Sequence, residues 1–263
     1  MKRNLLAVVF VLAISGFLFS AEMQTDIVYA KRGDRELKLD FITPGGTMRP
    51  LLICIHGGGW RAGNKRDFHD VMKGVAANGV AAATVQYRLT DEATWPAQID
   101  DVRAAHKYLV DNAEKLGIDP ERIAVTGGSA GGHLALMLGL GPKEQAESLR
   151  VRGIVNLFGP AELRDIEKIE HVRELVEALV DGKLEEKAEA LSDASPVTIA
   201  DRTDPPVLTF HGTDDEIVPY ECSTRLAELG ENVKLVSVKG GSHNNLPDYQ
   251  LYQTKLGEIL GQL

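Results

Sequence analysis

The sequence predicts an α/β fold in which a mostly parallel sheet of eight strands carries helices on both faces. Short apolar runs alternate along the chain with longer amphipathic segments, which is typical of parallel strands joined by helical crossovers. Several runs, such as 51–55, contain no polar alternation, as expected of strands buried on both faces. A chain of 263 residues has room for one such domain with a large core, which we predict over 22–263.

The individual elements follow from the same patterns. Strands are predicted at 26–31, 37–42, 51–55, 80–86, 123–126, 153–157, 207–210 and 233–238. Helices are predicted at 68–78, 96–116, 131–138, 222–229 and 249–260. The first two strands flank the turn 32–35 and should form a hairpin, because the second alternates apolar and polar residues. Asp119 and Pro120 should open a turn before the fifth strand.

One segment, Ala161 to Asp204, departs from this rhythm and is rich in Glu and Lys. Its amphipathic pieces, 169–180 and 184–191, predict a helical insertion that could act as a minimal lid. The longer piece carries a single apolar stripe, which we expect to pack on the domain with its charged face in water. Little apolar surface should then remain to line a channel.

The N-terminus has the pattern of a secretory signal peptide. Lys2 and Arg3 precede an apolar run over 5–19, and small residues follow at Ser20 and Ala21. The alternative is an uncleaved membrane anchor, but the run is shorter than the ~20 residues that a spanning helix needs. We therefore expect residues 1–21 to be removed on export, leaving a secreted or periplasmic protein with no membrane contact.

Charge and cysteine content narrow the class of partner. The chain has 29 Lys and Arg against 38 Asp and Glu, a net charge of -9, which argues against nucleic acid or an anionic membrane surface as partner. Cys54 and Cys222 are two isolated cysteines and make no disulfide framework. No Cys/His spacing suggests a zinc site. We expect neither a metal nor an organic cofactor.

The residues 127–131 read Gly-Gly-Ser-Ala-Gly and lie between a predicted strand and a predicted helix. A G-x-S-x-G sequence in that context predicts a nucleophile elbow, in which serine occupies a strained turn between closely passing backbones. Ser129 is therefore the candidate nucleophile. The alternative is a glycine-rich turn with an inert serine. Such a turn has no need of a strand before it and a helix after it, so this context favours the elbow.

A serine hydroxyl needs a base, and the base needs a carboxylate to orient it. In this arrangement the acid and then the histidine follow the serine, each on a loop after a later strand. His243 is the histidine on the glycine-flanked loop after the last strand. Asp214 and Asp215 both follow the strand that ends at Phe210, and either can be the acid.

A second glycine-rich turn, His56 to Trp60, ends an earlier strand. Its backbone N–H groups, with that of Ala130 after the serine, can form an oxyanion hole. The phosphate-loop alternative fails, because neither G-x-x-x-x-G-K-[ST] nor G-x-G-x-x-G fits these turns. Trp60 is a candidate wall of the substrate pocket. We interpret His56, His133 and His211 as structural.

From about residue 26 onward the chain resembles small bacterial esterases and lipases of the α/β-hydrolase fold, related to hormone-sensitive-lipase-like carboxylesterases and to acetyl- and feruloyl-esterases. The resemblance is carried by residues 56–60, 87–89, 96–101, 119–123, 127–133, 211–219 and 241–243. It implies Asp215 as the acid and Gly58, Gly59 and Ala130 as the oxyanion donors. Unlike the hormone-sensitive-lipase-like members, this sequence has no long cap before its glycine turn, so an uncovered site is expected.

These residues predict a serine hydrolase that cleaves short-chain carboxylic esters through an acyl-enzyme, without a cofactor. Export and an uncovered site favour a small-molecule or polysaccharide-borne ester, such as acetyl or feruloyl groups on plant polysaccharide. Two alternatives remain open. A formamidase or peptidase would use the same residues on an amide, and a binding protein on a hydrolase scaffold would not turn over substrate.

Overall fold

The computed structural model describes residues 22–141, 149–168, 170–201, 203–245, 256–257 and 260–261. The predicted signal peptide, 1–21, lies outside the described residues, as does most of the predicted helix 249–260. Within the described ranges, no helix is long and apolar enough to cross a membrane.

In the described part of the chain, eight strands form one sheet, as predicted. They are β1 (Met23–Arg32), β2 (Arg35–Ile42), β3 (Arg49–Ile55), β4 (Ala81–Val85), β5 (Ile118–Gly128), β6 (Gly153–Leu157), β7 (Val207–Gly212) and β8 (Val233–Val238). Their order is β1-β2-β4-β3-β5-β6-β7-β8. β2 pairs antiparallel with β1 and β4, and the remaining pairs are parallel. Parallel pairing brings the carboxyl ends of β3 and β5 to β8 to one edge, where α/β sheets bind ligands.

The helices that the structure describes most fully are α1 (His69–Ala77), α2 (Ala97–Asp111), α3 (Ala113–Leu116), α4 (Ala130–Gly139), α5 (Glu170–Val180), α6 (Ala188–Asp193) and α7 (Glu221–Ala227). The prediction of a single helix over 96–116 was wrong, because the chain leaves the helical conformation at Asn112. The Asn112 side-chain amide donates to the Tyr108 carbonyl at 2.8 Å, and such local bonds compete with the helix backbone.

The predicted turn at Asp119 and Pro120 was also wrong, since both residues belong to β5. The Asp119 carboxylate accepts a bond from the Glu121 amide at 3.0 Å. Pairing between β3 and β5 shifts register between Arg49 and Leu51. The turn-forming sequence is therefore accommodated as a local irregularity inside a longer strand.

The β3 strand shows how the sheet divides the core. Leu51, Ile53 and Ile55 belong to a cluster that includes buried residues of α2, α4 and α5, whereas Leu52 and Cys54 belong to a second cluster with residues of α1. All five side chains are fully buried, which confirms that this run is covered on both faces. Cys54 and Cys222 are both buried and form no disulfide with each other.

Candidate active site

Ser129 lies in a tight turn between β5 and α4, with φ 54° and ψ -124°. Positive φ is unusual for a residue with a side chain and is held here by the surrounding backbone. A Cβ on Gly131 would lie 2.1 Å from the Ile55 carbonyl oxygen, and one on Gly127 would lie 2.3 Å from the Gly131 oxygen. The flanking glycines are therefore required by close backbone contacts, as the elbow interpretation expects.

The loops after β7 and β8 bring an imidazole and a carboxylate together. His243 Nδ1 lies 2.8 Å from Asp215 Oδ2 and 3.1 Å from Oδ1. Asp214 is exposed instead, and its carboxylate accepts a bond from the Thr213 hydroxyl at 2.8 Å. Of the two adjacent aspartates, the structure brings Asp215 to the histidine, the residue that the family resemblance implies.

The Asp215 carboxylate is fully buried and held by several donors. Its Oδ1 accepts the backbone amides of Ile217 at 2.9 Å and Val218 at 2.8 Å. Burial by itself raises the pKa of this carboxyl, but hydrogen bonds from His211, His243 and the Val218 amide outweigh burial and hold the pKa well below its usual range. The group is therefore an ionised carboxylate beside the imidazole.

A cleft of about 900 Å³ opens at the carboxyl edge of the sheet and is lined by both Ser129 and His243. His243 is buried except for 8% of its surface, so its ring reaches solvent mainly through this cleft. The ring packs edge-on against Phe158, with the centroids 4.6 Å apart. The predicted nucleophile and base thus face one space.

The glycine turn lines the same cleft beside Ala130, the first residue of α4. Gly58 and Gly59 have φ 104° and 59°, which favours glycine at both positions. A Cβ on Gly57 would lie 2.6 Å from the Gly128 carbonyl oxygen, so the turn also passes close to the elbow. Within the described part of the chain, no backbone carbonyl accepts from the Gly58 or Gly59 amide, and both remain available to a ligand.

Trp60 lies along the cleft, but its indole is committed to packing. Only 2% of the residue is exposed, and Nε1 donates to His133 Nδ1 at 3.2 Å. His133 Nε2 in turn donates to the Ala194 carbonyl at 2.7 Å. Burial lowers the pKa of His133 to about 4, so the ring is neutral and can accept from Trp60. Little of the indole is left for a substrate, and substrate binding by Trp60 stays a prediction.

The structure adds cleft residues that the sequence analysis missed. Phe158 follows β6 at the same sheet edge as the other site residues, a position that could have identified it. Ile166, Val172 and Leu175 come from the insertion, where no sequence signal showed which side of the stripe would face the cleft. The stripe therefore contributes apolar side chains to the cleft wall, and whether they leave room for an acyl channel stays a prediction.

Leu175 shows how closely the insertion approaches the glycine turn. A Cβ on Gly59 would lie 2.7 Å from Leu175 Cδ1. The remainder of the α5 stripe, Val172, Val176 and Leu179, is buried in the main core. Along the outer face, Arg173 pairs with Glu177 and Glu185. The helix thus packs on the domain as predicted and also forms an apolar wall of the cleft.

The sequence matches a known family and proteins named as esterases. Residues 39–229 match the BD-FAE family model. The chain is 35% identical over 185 residues to the probable carboxylic ester hydrolase LipM of Mycobacterium tuberculosis, a match that covers 65% of this chain and 42% of LipM. The matches to the first curated relatives cover 42%, 47% and 50% of those proteins, so this chain spans about half their length.

Solved structures match over nearly the whole chain. A truncated carbohydrate esterase from gut microbiota superposes with a TM-score of 0.79 at 27% identity, over 92% of this chain and 95% of that one. Butyrate-bound esterase 2 of Thermogutta terrifontis superposes with a TM-score of 0.74 at 25% identity, over 92% and 94% of the two chains.

Proposed function

Because this chain belongs to the BD-FAE family and has the α/β-hydrolase fold, we propose that it is a carboxylic ester hydrolase that works through an acyl-enzyme on Ser129. The observation that carries the proposal is a single cleft that holds Ser129, His243 with its carboxylate Asp215, and the glycine turn. The order Ser, Asp, His along the chain is that of hydrolases with a nucleophile elbow. The names of the relatives support ester cleavage in particular.

In the proposed mechanism His243 is the general base. Its Nδ1 is held by the Asp215 carboxylate, so Nε2 is the nitrogen left to take the Ser129 proton as the hydroxyl attacks the ester carbonyl. The buried, ionised Asp215 fixes this tautomer and stabilises the imidazolium that forms. His243 then returns the proton to the leaving alcohol, and the same residues activate water to release the acyl group.

The negative charge of the tetrahedral intermediate falls on the carbonyl oxygen. The Ala130 N–H at the start of α4 and the N–H groups of Gly58 and Gly59 are the proposed donors to it. These amides are fixed by the close backbone contacts of the elbow and the turn, so little reorganisation accompanies the reaction. The helix N-terminus adds partial positive charge at the same position.

The proposed substrate is an ester of a short acyl group, carried by a small molecule or a polysaccharide. Two structural neighbours support this choice, one a carbohydrate esterase and the other an esterase bound to butyrate. The mainly apolar cleft wall near Leu175 suits an acyl chain better than a charged group.

We also propose that the N-terminal segment directs export of the protein. Sequencing the N-terminus of the protein recovered outside the cytoplasm tests whether residues 1–21 are removed.

The deciding experiment compares the wild type with Ser129→Ala and with Ser192→Ala, a serine outside the cleft lining. Turnover of p-nitrophenyl acetate, acetylated xylan and an N-formyl amide is measured, together with labelling by a fluorophosphonate. Ser129→Ala should lose labelling and several orders of magnitude in kcat, because only the oxyanion and binding effects would remain. Ser192→Ala should match the wild type. Faster turnover of the amide than of every ester would refute ester specificity, and labelling that persists in Ser129→Ala would refute the nucleophile.

A further inference from the structure

A second histidine contacts the carboxylate that orients the proposed base. His211 lies near the end of β7 with its side chain fully buried. Its Nε2 lies 3.2 Å from Asp215 Oδ2, the same oxygen that faces His243 at 2.8 Å. The two imidazoles therefore share one carboxylate oxygen, and only His243 reaches the cleft lining.

Hydrogen-bond chemistry fixes a proton on this nitrogen. His211 Nε2 is 2.9 Å from the carbonyl oxygen of Val218, and a carbonyl can only accept. The nitrogen must therefore carry a hydrogen, and the same nitrogen lies 3.2 Å from Asp215 Oδ2. The Val218 amide meanwhile donates to Asp215 Oδ1 at 2.8 Å. Val218, in the loop after β7, thus holds the Asp215 carboxylate through its amide and His211 through its carbonyl.

The far side of the His211 ring is held by a buried polar chain. Its Nδ1 lies 2.7 Å from the Ser223 hydroxyl, which lies 3.3 Å from the Thr209 hydroxyl. The Asn156 side chain donates to Thr209 at 2.9 Å and accepts the Gly159 amide at 2.9 Å. All of these polar side chains are buried, so each contact costs free energy to lose. The ring is therefore held independently of His243 at both of its nitrogens, by Ser223 at Nδ1 and by the Val218 carbonyl at Nε2, and the second contact orients the Nε2–H even without the first.

We propose that His211 is a positioning residue whose Nε2–H fixes Asp215 Oδ2 for His243. Two backbone amides anchor Oδ1, whereas the contacts of Oδ2 within the described residues are His243 and His211, so the loss of His211 would leave that oxygen to the base. The carboxylate would then rotate and follow His243, and the imidazole would lose its alignment toward Ser129. The inference rests on the proposed function for its kinetic consequence, whereas the geometric effect on the Asp215–His243 pair is independent of it.

The experiment replaces the donor while keeping the volume. His211→Met and His211→Leu remove the N–H, and His211→Gln keeps an amide donor near the position of Nε2. The matched control is Ser223→Ala, which breaks the polar chain on the Nδ1 side and leaves the Nε2–H in place. The donor-free variants should lose about 100-fold in kcat with unchanged KM, as a misaligned catalytic group does. His211→Gln should recover to within about tenfold of the wild type, and Ser223→Ala should stay within about threefold.

Two further measurements separate positioning from stability and from function. The proton between His243 and Asp215 should give a far-downfield ¹H resonance in the wild type, His211→Gln and Ser223→Ala, and lose it in the donor-free variants. If the wild type keeps this resonance but turns over no ester, the proposed function fails and the positioning role stands.

Thermal unfolding shows which variants are folded. A folded donor-free variant with wild-type resonance, or one whose kcat falls no further than that of Ser223→Ala, would overturn the inference. Should both donor-free variants fail to fold, a folded His211→Gln with less than about one hundredth of wild-type kcat overturns it, since its amide still donates.

Discussion

Leu175→Ala should shift the acyl-chain preference toward longer esters. His243 has to reach the leaving oxygen, so the alcohol lies on its side of Ser129 and the acyl chain extends the other way, toward Gly59. Leu175 lines the cleft next to Gly59, so we expect it to bound the acyl site. In the wild type we expect kcat/KM to peak between acetyl and butyryl and to fall by decanoyl.

The size of the shift follows from the atoms removed. Leucine to alanine deletes three carbon atoms, which leaves room for about two methylenes of a substrate. Each buried methylene contributes about 0.8 kcal/mol, so two contribute about 1.6 kcal/mol. This corresponds to about a 15-fold rise in the ratio of kcat/KM for hexanoyl over butyryl ester. The α5 helix should stay in place, since Val172, Val176 and Leu179 remain buried.

The assay is a p-nitrophenyl ester series from acetyl to dodecanoyl, measured below micelle-forming concentrations. Leu229→Ala is the matched control, because Leu229 is an exposed leucine outside the cleft lining, and its chain-length profile should equal that of the wild type. An unchanged hexanoyl-to-butyryl ratio in Leu175→Ala would show that Leu175 does not bound the acyl site. A wild-type maximum at octanoyl or longer would refute the short-acyl assignment itself.

Three further predictions concern the acid, a buried histidine and the elbow. Asp215→Asn should lower kcat by about 10³- to 10⁴-fold, whereas Asp214→Asn should mainly affect stability, and kinetics with the reverse ranking would move the acid to Asp214. Burial lowers the pKa of His106 to about 4, and its Nε2 has no hydrogen-bond partner in the described structure. The unfolded chain therefore binds a proton on His106 more tightly than the folded protein does, and the free energy of unfolding should fall as pH drops from about 6.5 toward 4. Denaturant titration should show a shallower fall for His106→Leu. Gly131→Ala should abolish folding or lower stability by about 3 kcal/mol or more, because the added Cβ would meet backbone atoms. Gly74→Ala, where the added Cβ points into open space on α1, should raise stability by about 0.5–1 kcal/mol. Equal melting temperatures for the two variants would contradict this prediction.

The sequence was sufficient to predict those features of the fold and site that depend on nearby residues or on the order of the strands. The buried runs predicted the eight strands, and the loops after β5, β7 and β8 predicted that Ser129, an aspartate and His243 would share one edge. Choosing Asp215 over Asp214 needed either the family resemblance or the loop geometry. The two residues are adjacent and identical, so both fit the order Ser, Asp, His along the chain.

Contacts between segments that are distant along the chain could not be predicted from the sequence. Nothing local marks Leu175 as a neighbour of Gly59, since an amphipathic stripe gives the buried face of a helix but not what its edge touches. We interpreted His211 as structural from the sequence, and its contact with Asp215 depends on how the loop after β7 folds back onto the strand. The turn predicted at Asp119 and Pro120 was wrong for a related reason, because pairing within the sheet outweighed the local preference of these residues for a turn.

His133 joins three parts of the molecule that are far apart in the chain. It lies on the helix that follows Ser129, accepts from the Trp60 indole beside the glycine turn, and donates to Ala194 at the end of α6. Swinging the insertion away would strand these buried polar groups at about 1–3 kcal/mol each. We therefore expect the insertion to stay in place as a rim of the cleft, so that a substrate enters without a closing movement. A polymer too large to be enclosed can lie across such a cleft and present one ester group at a time.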